Sequence, residues 1–395
     1  MKPGCKRGCR AVVIAGLVLA LLAVAGGAWL WQQHARFADQ PVHGLAAGQT
    51  VQVAAGDSFA AVLRKLRQAG VDEGHDLQWR LLARDLDAAA NLKVGEYALE
   101  PGATPRSLLL AMREGKVISY RFTIVEGWNI RQLRGALASA TPLLLETTGL
   151  DDAALMARLG HAGQHPEGRF LPETYLYSRG DTDLDLLQRA HAAMQQAVEQ
   201  AWAQRDPDVP LQSAEEALIL ASIIEKETGI ASERPAIAGV FARRLRLGMR
   251  LQTDPTVIYG VGSAYDGNIR RIHLQTDTPY NTYTRAGLTP TPIAMPGRHA
   301  LQAAVSPEDG DALYFVALGD GSGRHAFSPN LAAHNAAVAR YLQQLRARRA
   351  DGRAQGQAAE AGVDPVEGAA LQEPAVTPSL PQAPGAPAPA PGPRP

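Results

Sequence analysis

Between Ala11 and Trp31 runs AVVIAGLVLALLAVAGGAWLW, 21 residues without a charged or strongly polar side chain. A helix needs about 20 apolar residues to cross the hydrocarbon layer of a bilayer. A cleaved export signal has a shorter apolar core, roughly 7–15 residues, and a small-residue cut site. This stretch is longer, ends in Trp29 and Trp31, which suit a membrane interface, and is followed by polar residues, so it reads as a retained transmembrane helix over 11–31. Lys2, Lys6, Arg7 and Arg10 precede it with no acidic residue among them, so residues 1–10 read as a basic cytoplasmic segment. Positive charge stays on the cytoplasmic side, which puts everything from about residue 32 outside the cytoplasm.

This split gives the overall charge its meaning. The whole chain has 39 Lys plus Arg and 39 Asp plus Glu; without the four N-terminal cations, 35 basic residues face 39 acidic ones. A mildly acidic remainder has no basic face to attract phosphates, which excludes nucleic acid as a partner. Both cysteines, Cys5 and Cys9, precede the apolar run, so the exported part has no disulfide scaffold and no cysteine nucleophile. Two thiols without a nearby histidine are an incomplete metal site. At the other end, residues 374–395 hold 9 prolines in 22 positions, and residues 351–395 read as a disordered Ala/Pro-rich tail.

Between the ends the fold class is α+β. Thr50–Gly56 alternates like a strand, Ser58–Gly70 and Leu77–Leu86 read as helices, Val94–Leu99 as a short strand and Ser107–Gly115 as a serine-led helix. This is a small β-α-α-β module over 45–116, and no residue in it carries chemistry. Val117–Gly127 leads as a strand into a larger mixed α+β domain over 117–348. There Asn129–Leu137, Leu150–Leu159 and Asp183–Gln204 read as helices.

The most informative segment is SAEEALILASIIEKETG, Ser213–Gly229, read as one helix with Ser213 and Glu216 as a capping box and Gly229 as a stop. Its centre, Ala217–Ile224, is apolar on every side except at Ser222, the pattern of a buried helix. Glu225 and Glu227 sit in its last turn, where burial and the negative end of the helix dipole both oppose ionisation. A carboxyl group kept protonated is what a general acid requires. Either one is equally open to pairing with Lys226, Arg234, Arg243 or Arg244. The small neighbours of Glu225, among them Ala221 and Ser222, leave room for substrate and favour it as the acid; Glu227 reads as a brace.

A further helix, Ser232 to about Leu247, is stopped by Gly248, and Met249–Gly262 follows. Thr278–Gly297 is too rich in Pro, Gly and Thr for regular structure, yet it concentrates Tyr280, Asn281 and Tyr283. Tyrosine rings and amides in a long loop suit a sugar, ring on apolar face and amide on hydroxyl. Ala312–Pro329 reads as a hairpin, and His334 and Asn335 begin a final helix. No Gly-x-Ser-x-Gly elbow, Walker motif or H-E-x-x-H occurs, and His325 and His334 lack a third ligand, so no metal or cofactor is implied.

The runs ASIIEKETG, FARRLRLGMRLQTDPTVIYGVG, YNTYTRAGLTPTPIAMPG and LYFVALGDGSGRHAFSPNLAAHN closely resemble the endolytic murein transglycosylases, the YceG-like family, over about residues 45–345. The family's usual proline, glycine and asparagine are here Thr289, Thr291 and Met295. The resemblance implies a LysM-like module at 45–116 and a single-pass inner-membrane enzyme with a periplasmic catalytic domain. Its substrate is the N-acetylmuramic acid β-1,4 N-acetylglucosamine bond of nascent glycan strands, its product a 1,6-anhydro end, and cell-wall synthases are possible partners. It also implies Glu225 as catalytic residue, with Gln252, Thr253, Asp254, Tyr259, Tyr280, Asn281 and Tyr283 on the substrate and Glu227 and Ser222 in support. Such an enzyme needs one carboxyl group. A hydrolase, for instance pairing Glu225 with Asp254, needs two, about 5–5.5 Å or 6.5–9.5 Å apart. A peptidoglycan-binding scaffold for synthesis enzymes is the non-enzymatic alternative.

Overall fold

The structure, a computed structural model, describes residues 5–360. It divides into two compact units: among the described residues, one comprises the N-terminal part up to Tyr120 with Ser178–Gly180, the other Arg121–Tyr177 and the described chain from Asp181.

The first unit opens with α1 (Cys5–Asp39), a single 35-residue helix. Its stretch from Ile14 to Asp39 is apolar and long enough to cross a membrane, with a mean hydropathy of 2.1 in its most apolar window and none of that window buried. The helix runs beyond the expected 11–31 at both ends, because nothing in the polar flanks breaks it. Its last turn is not a linker: Phe37, Ala38 and Val42 are buried in the same core as Val51, Leu66, Trp79, Leu82, Tyr97 and Leu109. The small module therefore begins before residue 45.

Strand β1 (Thr50–Val53) pairs antiparallel with β2 (Gly95–Ala98), Thr50 opposite Ala98 and Val53 opposite Gly95. Between them lie α2 (Phe59–Gln68) and α3 (Asp76–Asp85), and α4 (Pro105–Glu114) follows. The expected β-α-α-β order is present. Ser58 caps α2 by accepting from Ala61 N at 3.3 Å. Helix α4 starts earlier than the serine-led reading: Thr104 is its cap, Pro105 takes the first position where no N–H is needed, and Ser107 closes the capping box. Gly115 ends it in the left-handed conformation, φ 73°.

In the second unit β3 (Tyr120–Thr123) pairs with β4 (Thr174–Tyr177). Helices α5 (Ile130–Leu137), α6 (Asp152–Arg158) and α7 (Asp183–Ala203) come next in the chain, α7 packing on β4, and α8 (Ala214–Glu227) follows. Every residue of α8 from Ala217 to Ile224 is buried, each large aliphatic side chain contributing roughly 1.5–3 kcal/mol. Two details of its ends differ from expectation. Glu216 turns back to Gln212 N rather than to the cap residue, at 2.7 Å, so the box is half formed. The C-cap is Thr228, extended at φ −145°, not Gly229.

Helix α9 (Arg234–Arg246) begins two residues later than expected, after a 3-10 turn at Ala231–Glu233. Helices α10 (Asp254–Val261), α11 (Arg271–Gln275) and α12 (Arg298–Val305) follow, with irregular chain from Thr276 to Gly297 as its composition dictates. Strands β5 (Tyr314–Ala317) and β6 (His325–Ser328) form the expected antiparallel hairpin, Tyr314 opposite Ser328. Helix α13 runs Leu331–Glu360, past residue 350 where the tail was expected to begin. The expected tail beyond residue 360, and residues 1–4 of the basic segment, lie outside the described residues.

Candidate active site

The end of α8 meets three segments from elsewhere in the second unit, and its two glutamates meet different ones. Glu225 Oε1 accepts from Arg234 Nη2 at 2.8 Å and its Oε2 accepts from Gly297 N at 3.0 Å. Both partners of the ion pair are deeply buried, with side chains 5% and 7% exposed. Arg234 Nη2 also lies 3.3 Å from Glu126 Oε2. A Cβ at Gly297 would meet the Glu126 carboxylate, which would have to move aside. Burial, helped by the nearby Glu126 carboxylate, outweighs the Gly297 amide and Arg234 and holds the Glu225 carboxyl above its ordinary value. The guanidinium and the peptide N–H each favour the charged form, but the desolvation of so buried a group is the larger effect.

Glu227 faces the other way. Thr253 donates its hydroxyl to Glu227 Oε1. Burial pushes the Glu227 carboxyl up to about 7; the Thr253 hydroxyl and His325 oppose this, and Asp254 adds to it. Desolvation without a bound cation is the arrangement that keeps a carboxylic acid protonated near neutral pH. Both glutamates therefore have carboxyl groups raised by burial, Glu225 beside a guanidinium and Glu227 beside a hydroxyl.

The segment facing Glu227 is held in an unusual backbone. Gln252 has φ +53°, rare for a residue with a side chain. Arg244 fixes this turn from below, donating Nη1 to Arg250 O at 3.0 Å, to Leu251 O at 2.9 Å and to Gln252 Oε1 at 3.4 Å. Thr253 is then locked by Thr282, whose hydroxyl accepts from Thr253 N at 3.1 Å. Asp254 opens α10 and receives the Tyr283 hydroxyl at 2.6 Å. Burial, followed by this bond to Asp254, holds the Tyr283 phenol well above its usual range.

The remaining expected residues divide. Tyr259 and Tyr280 form an edge-to-face pair 4.9 Å apart, and the Tyr280 hydroxyl meets Thr291 Oγ1 at 2.9 Å. Ser222 is buried and links α8 to the loop, accepting from Ile293 N at 3.0 Å while donating to Ile219 O at 2.7 Å. Asn281, expected on the substrate, turns inward. It is 1% exposed, its Nδ2 donates to the carbonyls of His273, Leu274 and Thr276 at 2.7–3.2 Å, and its Oδ1 accepts from Tyr283 N at 2.9 Å. All its hydrogen-bonding capacity goes into shaping the loop.

Three groups escaped the sequence reading. Glu167 is fully buried, caps α5 by accepting from Ile130 N at 3.1 Å, and bonds the Tyr259 hydroxyl; burial, against those bonds, lifts it to about 7. Glu233 holds His325 through the backbone N at 3.0 Å and Nδ1 at 2.8 Å. Burial would raise Glu233, but the bonds from His325 outweigh it and keep its carboxyl low. Arg244 was seen only as a possible partner for a glutamate. The faint signal for Glu167 was the following Gly168, at φ +78°, where a Cβ would strike Pro292. Among the described residues no group of three or more His, Cys, Asp or Glu side chains is placed to hold a metal ion.

The end of α8 thus brings buried carboxyl groups together with tyrosine and threonine side chains, a set of groups that suits acid chemistry on a carbohydrate. The sequence model of the YceG-like family matches residues 51–340, and the chain belongs to that family. It is 31% identical over 271 residues to the endolytic murein transglycosylase of Bacillus subtilis, covering 64% of this chain and 74% of that protein. It is 26% identical over 350 residues to the endolytic murein transglycosylase of Streptococcus pneumoniae serotype 2, covering 78% of this chain and 61% of the relative, less than two thirds of its length. A crystal structure of a YceG-like protein from Listeria monocytogenes aligns with 28% identity and a TM-score of 0.46 over 72% of this chain and 97% of that one.

Proposed function

We propose that this chain is a membrane-anchored endolytic murein transglycosylase in which Glu227 is the catalytic acid and then the base. The observation that carries the role is the raised, cation-free Glu227 carboxyl beside Thr253 and Asp254. The activity is that of the relatives in Bacillus and Streptococcus.

In this reading Glu227 gives its proton to the glycosidic oxygen between N-acetylmuramic acid and N-acetylglucosamine, and the C1–O bond breaks. The resulting carboxylate takes the proton of the muramyl C6 hydroxyl as O6 bonds to C1. The product carries a 1,6-anhydro end, no water enters, and Glu227 ends protonated as it began. Glu225 is the brace, tying α8 through Arg234 to α9 and through Gly297 to the end of the cleft loop. Gln252, Thr253, Asp254, Tyr259, Tyr280 and Tyr283 line the cleft, with Ser222 and Asn281 holding its walls.

The full arrangement is residues 1–10 in the cytoplasm, 11–31 across the inner membrane, a LysM-like module over about 45–116 and a catalytic domain over 117–348 in the periplasm. Glycan strands are the substrate, and cell-wall synthases in the same membrane are partners. The unburied apolar span of α1 supports the anchor.

A hydrolytic reading with Asp254 as second carboxylate draws on the influence of Asp254 on Glu227. Digestion of uncrosslinked glycan strands separates the two, since hydrolysis leaves a reducing end heavier by one water than the anhydro end. We expect anhydro ends from the native enzyme and none from Glu227→Gln. Wild-type activity in that variant would remove Glu227 from the mechanism.

A further inference from the structure

We infer that one end of the N-terminal module is a membrane-resting foot, formed by the loop after α3 (residues 86–94) and the end of α4 (residues 113–116), which sits in the phospholipid headgroup layer. The inference rests on the reading of α1 as a membrane-spanning helix and adds a lipid contact made by the folded module itself.

Contacts between α1 and the module fix how the module stands along the helix axis. Going back along α1 and its extension toward the apolar span, His43 meets Glu73, the backbone N at 2.6 Å from Oε1. Phe37 then meets Trp79, ring centroids 5.5 Å apart, and His34 meets Asp85, Nε2 at 3.1 Å from Oδ2. The partners advance as α1 recedes, so α3 descends toward the bilayer. Helix α4 descends with it. At its start Arg106 Nε reaches Asp39 at 2.7 Å; near its end Arg113 Nη1 reaches Leu86 O at 2.8 Å, just past the residue that touches His34. Lys93 N donates to Met112 O at 2.9 Å, placing the start of β2 at this same lower end.

The height follows from helix geometry. Between Trp31, the last residue of the apolar run, and His34 there are three residue steps of a continuous helix, a rise of about 4–5 Å. The polar layer on each face of a bilayer is roughly 5–7 Å thick. A module gripped at His34 and Phe37, with segments reaching below that grip, has its lower edge inside this layer.

The composition of that edge fits. Ala89, Ala90 and Val94 are exposed, Val94 by 58%. Exposed Lys93 and Lys116 stand among them, with Asp87 and Glu114, Lys116 Nζ lying 2.9 Å from Glu114 Oε2. Small apolar groups with cations that reach phosphate are suited to the interface rather than to open water. Asp87 is held at φ +52°, and Asn91 Nδ2 bonds both its carbonyl, at 3.0 Å, and its carboxylate, at 3.1 Å. The loop therefore keeps its shape without a partner.

The test uses the full chain with Cys5→Ser and Cys9→Ser, reconstituted in phosphatidylethanolamine–phosphatidylglycerol vesicles and carrying one fluorophore on an introduced cysteine. Ala90→Cys reports the foot, Glu100→Cys the opposite end of the module, and Leu17→Cys the span. We expect lipids spin-labelled at the headgroup to quench the Ala90 label several-fold more than the Glu100 label, and chain-labelled lipids to quench the Leu17 label. Equal quenching at Ala90 and Glu100 with Leu17 quenched would overturn the foot alone. An unquenched Leu17 label would overturn the spanning reading, and the foot with it.

Discussion

Arg234 lies 2.8 Å from Glu225 and has no comparable contact with Glu227, although the two glutamates are one residue apart in sequence from a shared neighbour. The two positions differ by about 200° around the helix at 3.6 residues per turn, so one carboxyl group turns to a guanidinium and the other to a threonine hydroxyl. Charge balance at the two sites is therefore separable by experiment.

Glu227→Gln should abolish glycan cleavage and leave stability at pH 7–8 unchanged or raised. Its folded-state pKa is about 7 against an ordinary value of 4.5. As pH rises through this interval the unfolded chain has released the proton that the fold retains, so wild-type stability falls with pH there. A neutral amide escapes that cost. Glu225→Gln removes the nearer carboxylate of a buried arginine and leaves it Glu126 alone, so it should lower stability relative to Glu227→Gln. Thermal unfolding of both variants beside wild type reads the contrast.

Cleavage should decline as pH rises through about 7, where Glu227 loses its proton. The Thr253 hydroxyl lowers this carboxyl and Asp254 raises it. The alkaline limb should therefore move up in Thr253→Val and down in Asp254→Asn, measured as initial rates of anhydro-end formation. Limbs that stay in place in both variants would assign the titration to another group.

His191 is 5% exposed, stacks on His161 at 3.8 Å, and is lowered to about 4, chiefly by burial and then by His161. Below its ordinary value of 6.5 the unfolded chain takes up a proton that the fold refuses, so this histidine costs stability as pH falls from about 6.5 to 4. The loss is at most about 3 kcal/mol. His191→Phe should flatten that part of the urea midpoint against pH, and an unchanged slope would exclude His191 as its source.

Phe37→Ala should cost about 3 kcal/mol, as for other buried aromatics, although the residue lies in the helix that carries the apolar span. The side chain is 7% exposed and packs edge-on against Trp79. Hydrogen exchange of the α3 amides, with and without the substitution, reports whether the helix and module unfold as one unit.

Sequence patterns carried the architecture far and the site only part of the way. The unbroken apolar face of Ala217–Ile224 could only belong to a buried helix, and the Pro- and Thr-rich run to Gly297 could only be irregular. Which glutamate is the free one depends on partners 9 and 72 positions distant for Glu225 and 26 for Glu227; helix periodicity says nothing about which side those segments approach. Asn281 shows a second limit: composition marks an amide in a sugar-type loop, but only the fold tells that its donors are spent on three carbonyls. Phe37 shows a third. A lone aromatic among polar residues has no periodicity to reveal it, and it is core because α3 comes to meet it.

The loop between Thr276 and Gly297 has no helix or strand, yet Asn281 binds its own neighbours, Ser222 takes the Ile293 amide, Met295 exchanges bonds with Gly127 and Trp128, and Gly297 ends on Glu225. Its conformational entropy is surrendered when the domain folds rather than when a ligand arrives. In the proposed reading, a glycan strand that reaches this loop meets a surface already ordered by the fold. Capture is then governed by diffusion and alignment of the polymer, and the enzyme can engage and leave successive strands without waiting for its own loop to order.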